Sequence, residues 1–436
     1  MAPKKSSKTK QEEPVEEVKI TGPGWTEKMN QAIDDLSESR TSTREESLEI
    51  ITNIFSNHHV FSQIENRLEE ILGLLKKSVA KNNSTKEACL AARAIALTFI
   101  NLDDISEGEA DDLYRRILSC LRSAIKNSPD VEIKMSVTFL FIFIFNCLQT
   151  LALITYTAAS DIDKQLVREY LFDLIETDGA DFNVDELSPQ ECDQLFAESL
   201  RAYGILYASS FSTGFVDFDI LWEELEKVMP MHEMLLESSD KDVRIAAGEN
   251  IGLMFESANV FLNADAEDDE EEDEDAVKPE YDNMDGLIHT LKDLSVDSSR
   301  RRAKSDRVEQ KSVFRDIVRT VEDNEKPVEE LKIGGKVLSF RGWSKILPLN
   351  SFRRCLGPGF QHHLKTNSMM KDIFRYSTGF VGRPQDDSDD SDEEGGGIST
   401  AGLSNVDKKY LYDENKKSRS KQIRSARIGK ESNPDY

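Results

Sequence analysis

The chain has 436 residues, a formal net charge of −27, 38% hydrophobic residues and 31% charged residues. That length can bury at least one sizeable core and has room for two or three domains, while the charge fraction fits a soluble protein with substantial disordered segments rather than one compact enzyme. The acidity is concentrated in two runs, ten carboxylates from Asp265 to Asp275 and seven from Asp386 to Glu394, which leaves about −10 for everything else, so net charge says little about what the folded part binds.

Residues 1–20, MAPKKSSKTKQEEPVEEVKI, lack the apolar stretch of a secretory signal, and their Lys, Glu and Pro content predicts a disordered N-terminal arm. Five cysteines, Cys89, Cys120, Cys147, Cys192 and Cys355, stand singly with no CxxC pair, the pattern of a reduced, intracellular chain.

From residue 21 to 262 similar helical phrases recur: TREESLEIITNIF from Thr43, TKEACLAARAIALTFI from Thr85, DVEIKMSVTFLFIFIF from Asp130, QECDQLFAESLRAYGILYA from Gln190 and DKDVRIAAGENIGLMFE from Asp240. Starts separated by roughly 40 to 60 residues predict stacked helix pairs of the armadillo or HEAT type. In the last phrase Val243, Ala247, Ile251 and Met254 form an apolar stripe, and the small Ala246 and Gly248 permit close helix approach. Amphipathic partners lie between the phrases: Phe61, Ile64, Leu68, Ile71 and Leu75, then Leu113, Ile117 and Leu121. Each pair must stack on its neighbours to hide its stripe. Ser84 with Glu87 and Ser188 with Glu191 fit the capping box, and Pro189 suits the first helical position. The stretch VTFLFIFIFNCLQTLALITY carries no charge and is close to the ~20 residues that span a bilayer. Asn146, Gln149 and three threonines interrupt it, however, and a helix buried all round in a solenoid is also apolar on every face, so we expect no membrane span.

Residues 263–282 read as an acidic linker, most simply a solvated loop, and residues 283–328 as the last helices. Those include a basic segment, SSRRRAKSDRVEQKSVFRDIVRTVED, with Val313, Ile317 and Val321 on one side. Residues 329–376 form a compact C-terminal module in which Gly334-Gly335 suits a tight hairpin turn, followed by one or two short helices divided at Gly357-Pro358-Gly359. Residues 377–405 are a polar, acidic, Gly-rich linker, and residues 406–436 a basic tail. The fold class expected is therefore all-α: a helical-repeat array, a small module of a short hairpin plus helices, and a tail.

Reactive constellations are not found. Gly334-Gly335-Lys336 has neither the leading glycine nor the following Ser/Thr of a P-loop. His58-His59 and His362-His363 are adjacent pairs, and neighbours on a helix point about 100° apart, so neither pair makes a two-ligand metal site. Nothing supplies a third group to Cys355 and His362. No catalytic residue, metal, cofactor or small-molecule substrate is expected. Ser388 and Ser391, set among Asp and Glu, are candidate sites for acidophilic kinases, although ordinary linker serines look the same.

The residues GWSKILPLNSFRRCLGPGFQHHLKTNSMMKDIF resemble the C-terminal module of the interferon-related developmental regulator family, through Gly342-Trp343, Phe352-Arg353, Leu356-Gly357, Gly359-Phe360, His363-Leu364, Asn367 and Asp372-Ile373-Phe374. VFRDIVRTVED, and Tyr410-Leu411-Tyr412 followed by Lys417, Arg419, Lys421, Arg424 and Arg427, are similar too. The likeness runs from about residue 20 to 430, and departs from the family in the GKESNPDY end and the unusually acidic linker. Trp343, Phe352, Arg353, Phe360, His363 and Phe374 are its candidate partner-binding or module-packing residues. The resemblance implies two roles without ranking them: transcriptional co-regulation, and binding of translationally inactive ribosomes with a C-terminal helix in the mRNA path.

Placed on a helix at 100° per residue, Lys416, Lys417, Arg419, Lys421, Arg424, Arg427 and Lys430 fall within about 200° of arc, and the segment has no apolar face. It cannot dock on a core of its own and should stay disordered until a polyanion neutralises it, which suits an RNA-binding arm. Clustered Lys and Arg also fit a nuclear localisation signal. A third reading is a protein scaffold, with other proteins held on the solenoid surface and both charge runs serving solubility. With the resemblance, the expectation is a non-enzymatic factor that binds small-subunit ribosomal RNA and proteins, cytoplasmic and in part nuclear.

Overall fold

The computed structural model describes residues 24–81, 84–126, 137–177, 180–182, 187–212, 217–268, 281–296, 304–333 and 336–374. Its architecture is an all-α helical-repeat array carrying a small hairpin-plus-helix module. Six helix pairs are formed by the described residues: α1 (Trp25–Asp35) with α2 (Thr41–Asn57); α4 (Leu68–Lys81), preceded by the short α3 (Phe61–Ile64), with α5 (Thr85–Ile100); α6 (Glu107–Ile125) with α7 (Val137–Ala158); α8 (Asp161–Glu176) with α9 (Pro189–Phe211); α10 (Phe218–Leu235) with α11 (Lys241–Asp268); and α12 (Met284–Val296) with α13 (Lys304–Asp323). The second members pack consecutively, α2 on α5, α5 on α7, and so on to α13, as an inner layer. The first members lie over them as an outer layer. The described residues of the five recurrent phrases lie in the inner helices α2, α5, α7, α9 and α11; residues 130–136 of the third phrase lie outside the described residues.

Helix starts follow local chemistry. Ser84, Ser106, Ser160 and Ser188 each accept a hydrogen bond from the backbone N–H three residues on, which satisfies one of the donors a helix start leaves orphaned. At Ser188 the Glu191 carboxylate returns the bond and the box is complete, with Pro189 at the first position. At Ser84 only half forms, because the Glu87 carboxylate is taken by Arg44 at 2.7 and 2.8 Å.

Arg44 and Arg244 repeat one device. Each is the fourth residue of its inner helix, donates to two carbonyls of the turn before it (Glu38 and Ser39; Ser238 and Ser239), and reaches the next inner helix, at Glu87 or Gln310. Each buried guanidinium therefore closes its own turn and sets the stagger of the following repeat.

The uncharged helix α7 packs among α5, α6 and α9, and Phe143, Ile144, Cys147, Leu148, Leu151 and Ile154 are fully buried. Its length and hydropathy would suffice to cross a membrane, but they are spent on protein neighbours.

Four details differ from the sequence expectation. The stripe Ile64–Leu75 crosses a 3-10 turn at Glu65–Arg67, yet its apolar residues stay buried through it. Helix α11 runs to Asp268, past residue 262, through the helix-favouring Ala and Glu of Asn263–Asp268. On α13 the buried stripe is Gln310, Phe314, Ile317 and Val321, with Val313 only half-buried; a Cβ on Gly248 would lie 2.9 Å from Phe314 and Ile317. The module has three helices, α14 (Trp343–Leu356), α15 (Phe360–Thr366) and α16 (Ser368–Ile373), because Asn367 starts a new one by accepting from Met370 N–H.

The hairpin pairs β1 (Val328–Ile333) with β2 (Lys336–Arg341) antiparallel, from Val328 opposite Arg341 to Ile333 opposite Lys336. Two strands alone are marginal in water. This pair packs on the module's own helices, β2 against α14 and Phe340 against Phe374, with Ile333 and Phe340 both buried.

Where the module crosses α2, Gly359 abuts the end of that helix so closely that a Cβ would fall 1.7 Å from the Ser56 carbonyl oxygen, a backbone atom that cannot step aside. Gly359→Ala should cost about 1–3 kcal/mol by overpacking. Thermal unfolding of the full chain should show this as a Tm lowered by a few degrees, while Gly73→Ala, in open space within α4, should raise it slightly by helix propensity.

Candidate functional site

The C-terminal module begins at a buried carboxylate. Glu256 of α11 accepts from the backbone N–H of Trp343 at 2.6 Å, the N–H of Ser344 at 3.2 Å and the Ser344 hydroxyl at 2.8 Å, so α14 is capped by a residue far away in sequence. Gly342 makes this approach feasible: its φ is +93°, and a Cβ there would sit 2.6 Å from the Glu256 carboxylate. The Trp343 indole N–H donates to Thr320 Oγ1 at 2.9 Å, tying α14 to α13 as well.

From this anchor α14 crosses α11, α9, α7 and α5 towards α2. Phe374 is the hub of the module's own core, meeting Phe340, Phe352 and Phe360 edge-on with centroids 5.7, 5.8 and 6.0 Å away. Such pairs contribute about 0.5–1.5 kcal/mol each beyond their buried area. Phe352 also meets Tyr156 of α7 at 5.8 Å, joining the module's core to the array's. Arg353 pairs with Glu329 and holds the hairpin to α14. Arg354 pairs with the buried Glu198 of α9 at 2.8 Å, and Arg93 of α5 donates to the Cys355 carbonyl at 3.0 Å. Arg93, Asn146, Gln149, Glu198, Ser351 and Arg354 line a polar cavity of about 230 Å³ beneath α14.

At the far end the module finishes two inner helices. The last carbonyls of a helix have no partner within it. The Phe55 carbonyl of α2 accepts from His363 Nε2 at 3.0 Å and Asn101 Nδ2 at 3.0 Å, and the Ile100 carbonyl of α5 accepts from Asn367 Nδ2 at 2.6 Å. Burial of His363 lowers its pKa to about 3, against a smaller opposing effect of the Phe55 carbonyl. The two histidine pairs, more than 300 residues apart in sequence, meet here: His58 against His362 and His59 against His363.

Of the six module residues singled out by sequence, Trp343, Phe352, Phe360, His363 and Phe374 are buried, so their side chains serve packing within the seated module, whereas Arg353 is partly exposed beside Glu329. The tail cations Lys416, Lys417, Arg419, Lys421, Arg424, Arg427 and Lys430, together with Ser388 and Ser391, lie outside the described residues. Burial pushes the Cys355 thiol up to about 11, which leaves it protonated and unreactive. Among the described residues no group of three His, Cys, Asp or Glu side chains is arranged to hold a metal. Sequence reasoning gave no role to Glu256, Glu198 or Arg93. The available signal was a carboxylate placed inside an apolar inner-helix phrase, where it needs a partner.

Together these features define a class: a two-layer helical-repeat protein whose inner face is spanned by its own C-terminal module. The family model described as interferon-related developmental regulator (IFRD) matches residues 2–322, and the chain belongs to that family. Interferon-related developmental regulator 2 of Mus musculus is 27% identical over 356 residues, covering 80% of this chain and 72% of its own. Interferon-related developmental regulator 1 of Mus musculus is 25% identical over 357 residues, covering 80% and 71%. An uncharacterized protein of Schizosaccharomyces pombe is 25% identical over 384 residues, covering 84% and 79%.

Removing the α14 cap tests how the module is seated. Glu256→Ala leaves three buried or half-buried donors unpaired, a loss of about 2–3 kcal/mol. Limited proteolysis should then cut residues 324–342 faster than in wild type, while cleavage of the α8–α9 region stays unchanged.

Proposed function

We propose that the protein is a non-enzymatic ribosome-binding factor whose tail, Lys416 to Lys430, enters the mRNA path of inactive ribosomes and so represses translation or preserves idle ribosomes. One observation carries this reading: seven cations within about 200° of helical arc, with no apolar face, in a chain whose net charge is −27. A segment of that kind finds no core to join and gains most from a surrounding of phosphates. Family membership and the seated module support it, because the module's aromatic residues are consumed internally and the tail is the densest run of cations left to meet a polyanion. The small ribosomal subunit, chiefly its RNA, is the partner the reading names.

The competing reading is a nuclear transcriptional co-regulator that presents its helical surface to other proteins, with the tail as a localisation signal; the same cluster of Lys and Arg favours it. The two separate in one experiment. On the ribosomal reading, Lys417→Glu, Lys421→Glu and Arg424→Glu together should abolish co-sedimentation of purified protein with small subunits while circular dichroism stays unchanged. Wild-type affinity should fall with salt at a log-log slope of about −3 to −6, from several released counterions. On the localisation reading the purified mutant binds ribosomes as well as wild type, and only its nuclear import fails.

A further inference from the structure

The convergence of His58, His59, His362 and His363 is unused by the ribosomal reading and stands independently of it. His58 stacks on Trp25 of α1, centroids 4.7 Å apart and rings within 7° of parallel, and it also meets His362 edge-on at 5.9 Å. His59 lies 6.4 Å from His363, and His362 lies 6.3 Å from His363. The four rings thus join the C-terminal end of α2 to α15, at the contact where the module meets the first helix pairs.

We propose that His59, His362 and His363 form a proton-sensitive clasp that holds the end of the C-terminal module on α2 at neutral pH and releases it on mild acidification. The His363 Nε2 proton is donated to the Phe55 carbonyl, so its Nδ1 is the unprotonated nitrogen, and that atom is buried without an acceptor. A proton added there would create a buried charge, opposed by His59 and His362 and only partly offset by the Phe55 and Ser56 backbone.

The charged groups bearing on the cluster come from each element packed there. Lys365 of α15 and Lys371 of α16 oppose protonation, and Asp103, in the turn after α5, favours it, its Oδ2 3.5 Å from His59 Nε2 while Asp103 also accepts from the Ser368 hydroxyl. One carboxylate faces several imidazoles and two ammonium groups. Burial is the largest influence on His59, His362 and His363, and it lowers all three.

Because His59, His362 and His363 titrate lower when seated than when released, the clasp is at full strength above pH 6.5 and is lost progressively as pH falls below that value. For His363, shifted from 6.5 to about 3, lowering the pH from 7.5 to 5.5 raises the released fraction about tenfold.

Hydrogen exchange of the full chain at pH 7.5 and 5.5, corrected for the intrinsic pH dependence of exchange, tests the clasp. The expected result is that residues 360–374 exchange at least tenfold faster at pH 5.5 while α8 and α9 keep their protection. In His363→Gln the side-chain amide can still donate to Phe55 but does not titrate, so the rise should shrink, and adding His59→Gln and His362→Gln should shrink it further. Unchanged protection of the wild-type module, an undiminished rise in His363→Gln, or parallel loss of protection in α8 and α9 would overturn the clasp. Should His363→Gln fail to seat at pH 7.5, the pair His59→Gln, His362→Gln decides: a rise equal to wild type overturns it and a smaller rise supports it.

Discussion

The fold depends on the need to cover the inner layer twice. Helices α5, α7, α9 and α11 carry apolar side chains over more than one face, so the outer helices alone cannot keep them from water. The second cover is the C-terminal module, which lays α14 across α11, α9, α7 and α5 and ends on α2. The long uncharged α7 is the clearest case: it meets helices on both sides and gives Tyr156 to the module through Phe352. A repeat array ordinarily stacks neighbour on neighbour. Here the module adds contacts between the last pairs and the first, and gives a one-dimensional stack some of the closure of a globular core.

Polar groups specify this arrangement where apolar burial would tolerate slippage. Arg44 and Arg244 each close their own turn and grip the following inner helix, so the rotation of those repeats is set by fork-shaped hydrogen bonding. Glu256 sets where α14 begins, and His363 and Asn367 set where the module ends, by meeting carbonyls that α2 and α5 leave open. Each of these groups is buried, and each is costly to leave unpaired. The module can therefore seat in one register only, which gives whatever follows residue 374 a defined point of departure.

That division of labour bears on function. The aromatic residues of the module are buried and hold the molecule together. On the ribosomal proposal recognition falls to surface and tail, whose charge pattern fits a polyanion better than an apolar groove. The histidine convergence adds a control point to the same seat, remote from the tail in chemistry but on the module that precedes it.

Local chemistry was legible without coordinates. The recurrent phrases, the serine caps, a hairpin whose strands flank residues 334–335 and the break at Gly357-Pro358-Gly359 rest on periodicity and backbone preference within a few residues; the strands, caps and break appear in the fold, while Gly334-Gly335 lie outside the described residues. The acidic runs and the tail cations are likewise facts of composition. What tertiary structure alone decided is which distant residues meet. Glu256 looked like one more carboxylate, and the adjacent histidines were weighed only as two-ligand metal pairs, for which neighbours on a helix point too far apart. Packing brought the two pairs together from more than 300 residues apart, and no local propensity encodes such a meeting. Capping of a distant helix and pairing across the array arise only once apolar burial has brought α2, α11 and the module together, when their unsatisfied donors and acceptors must find each other or lose their hydrogen bonds.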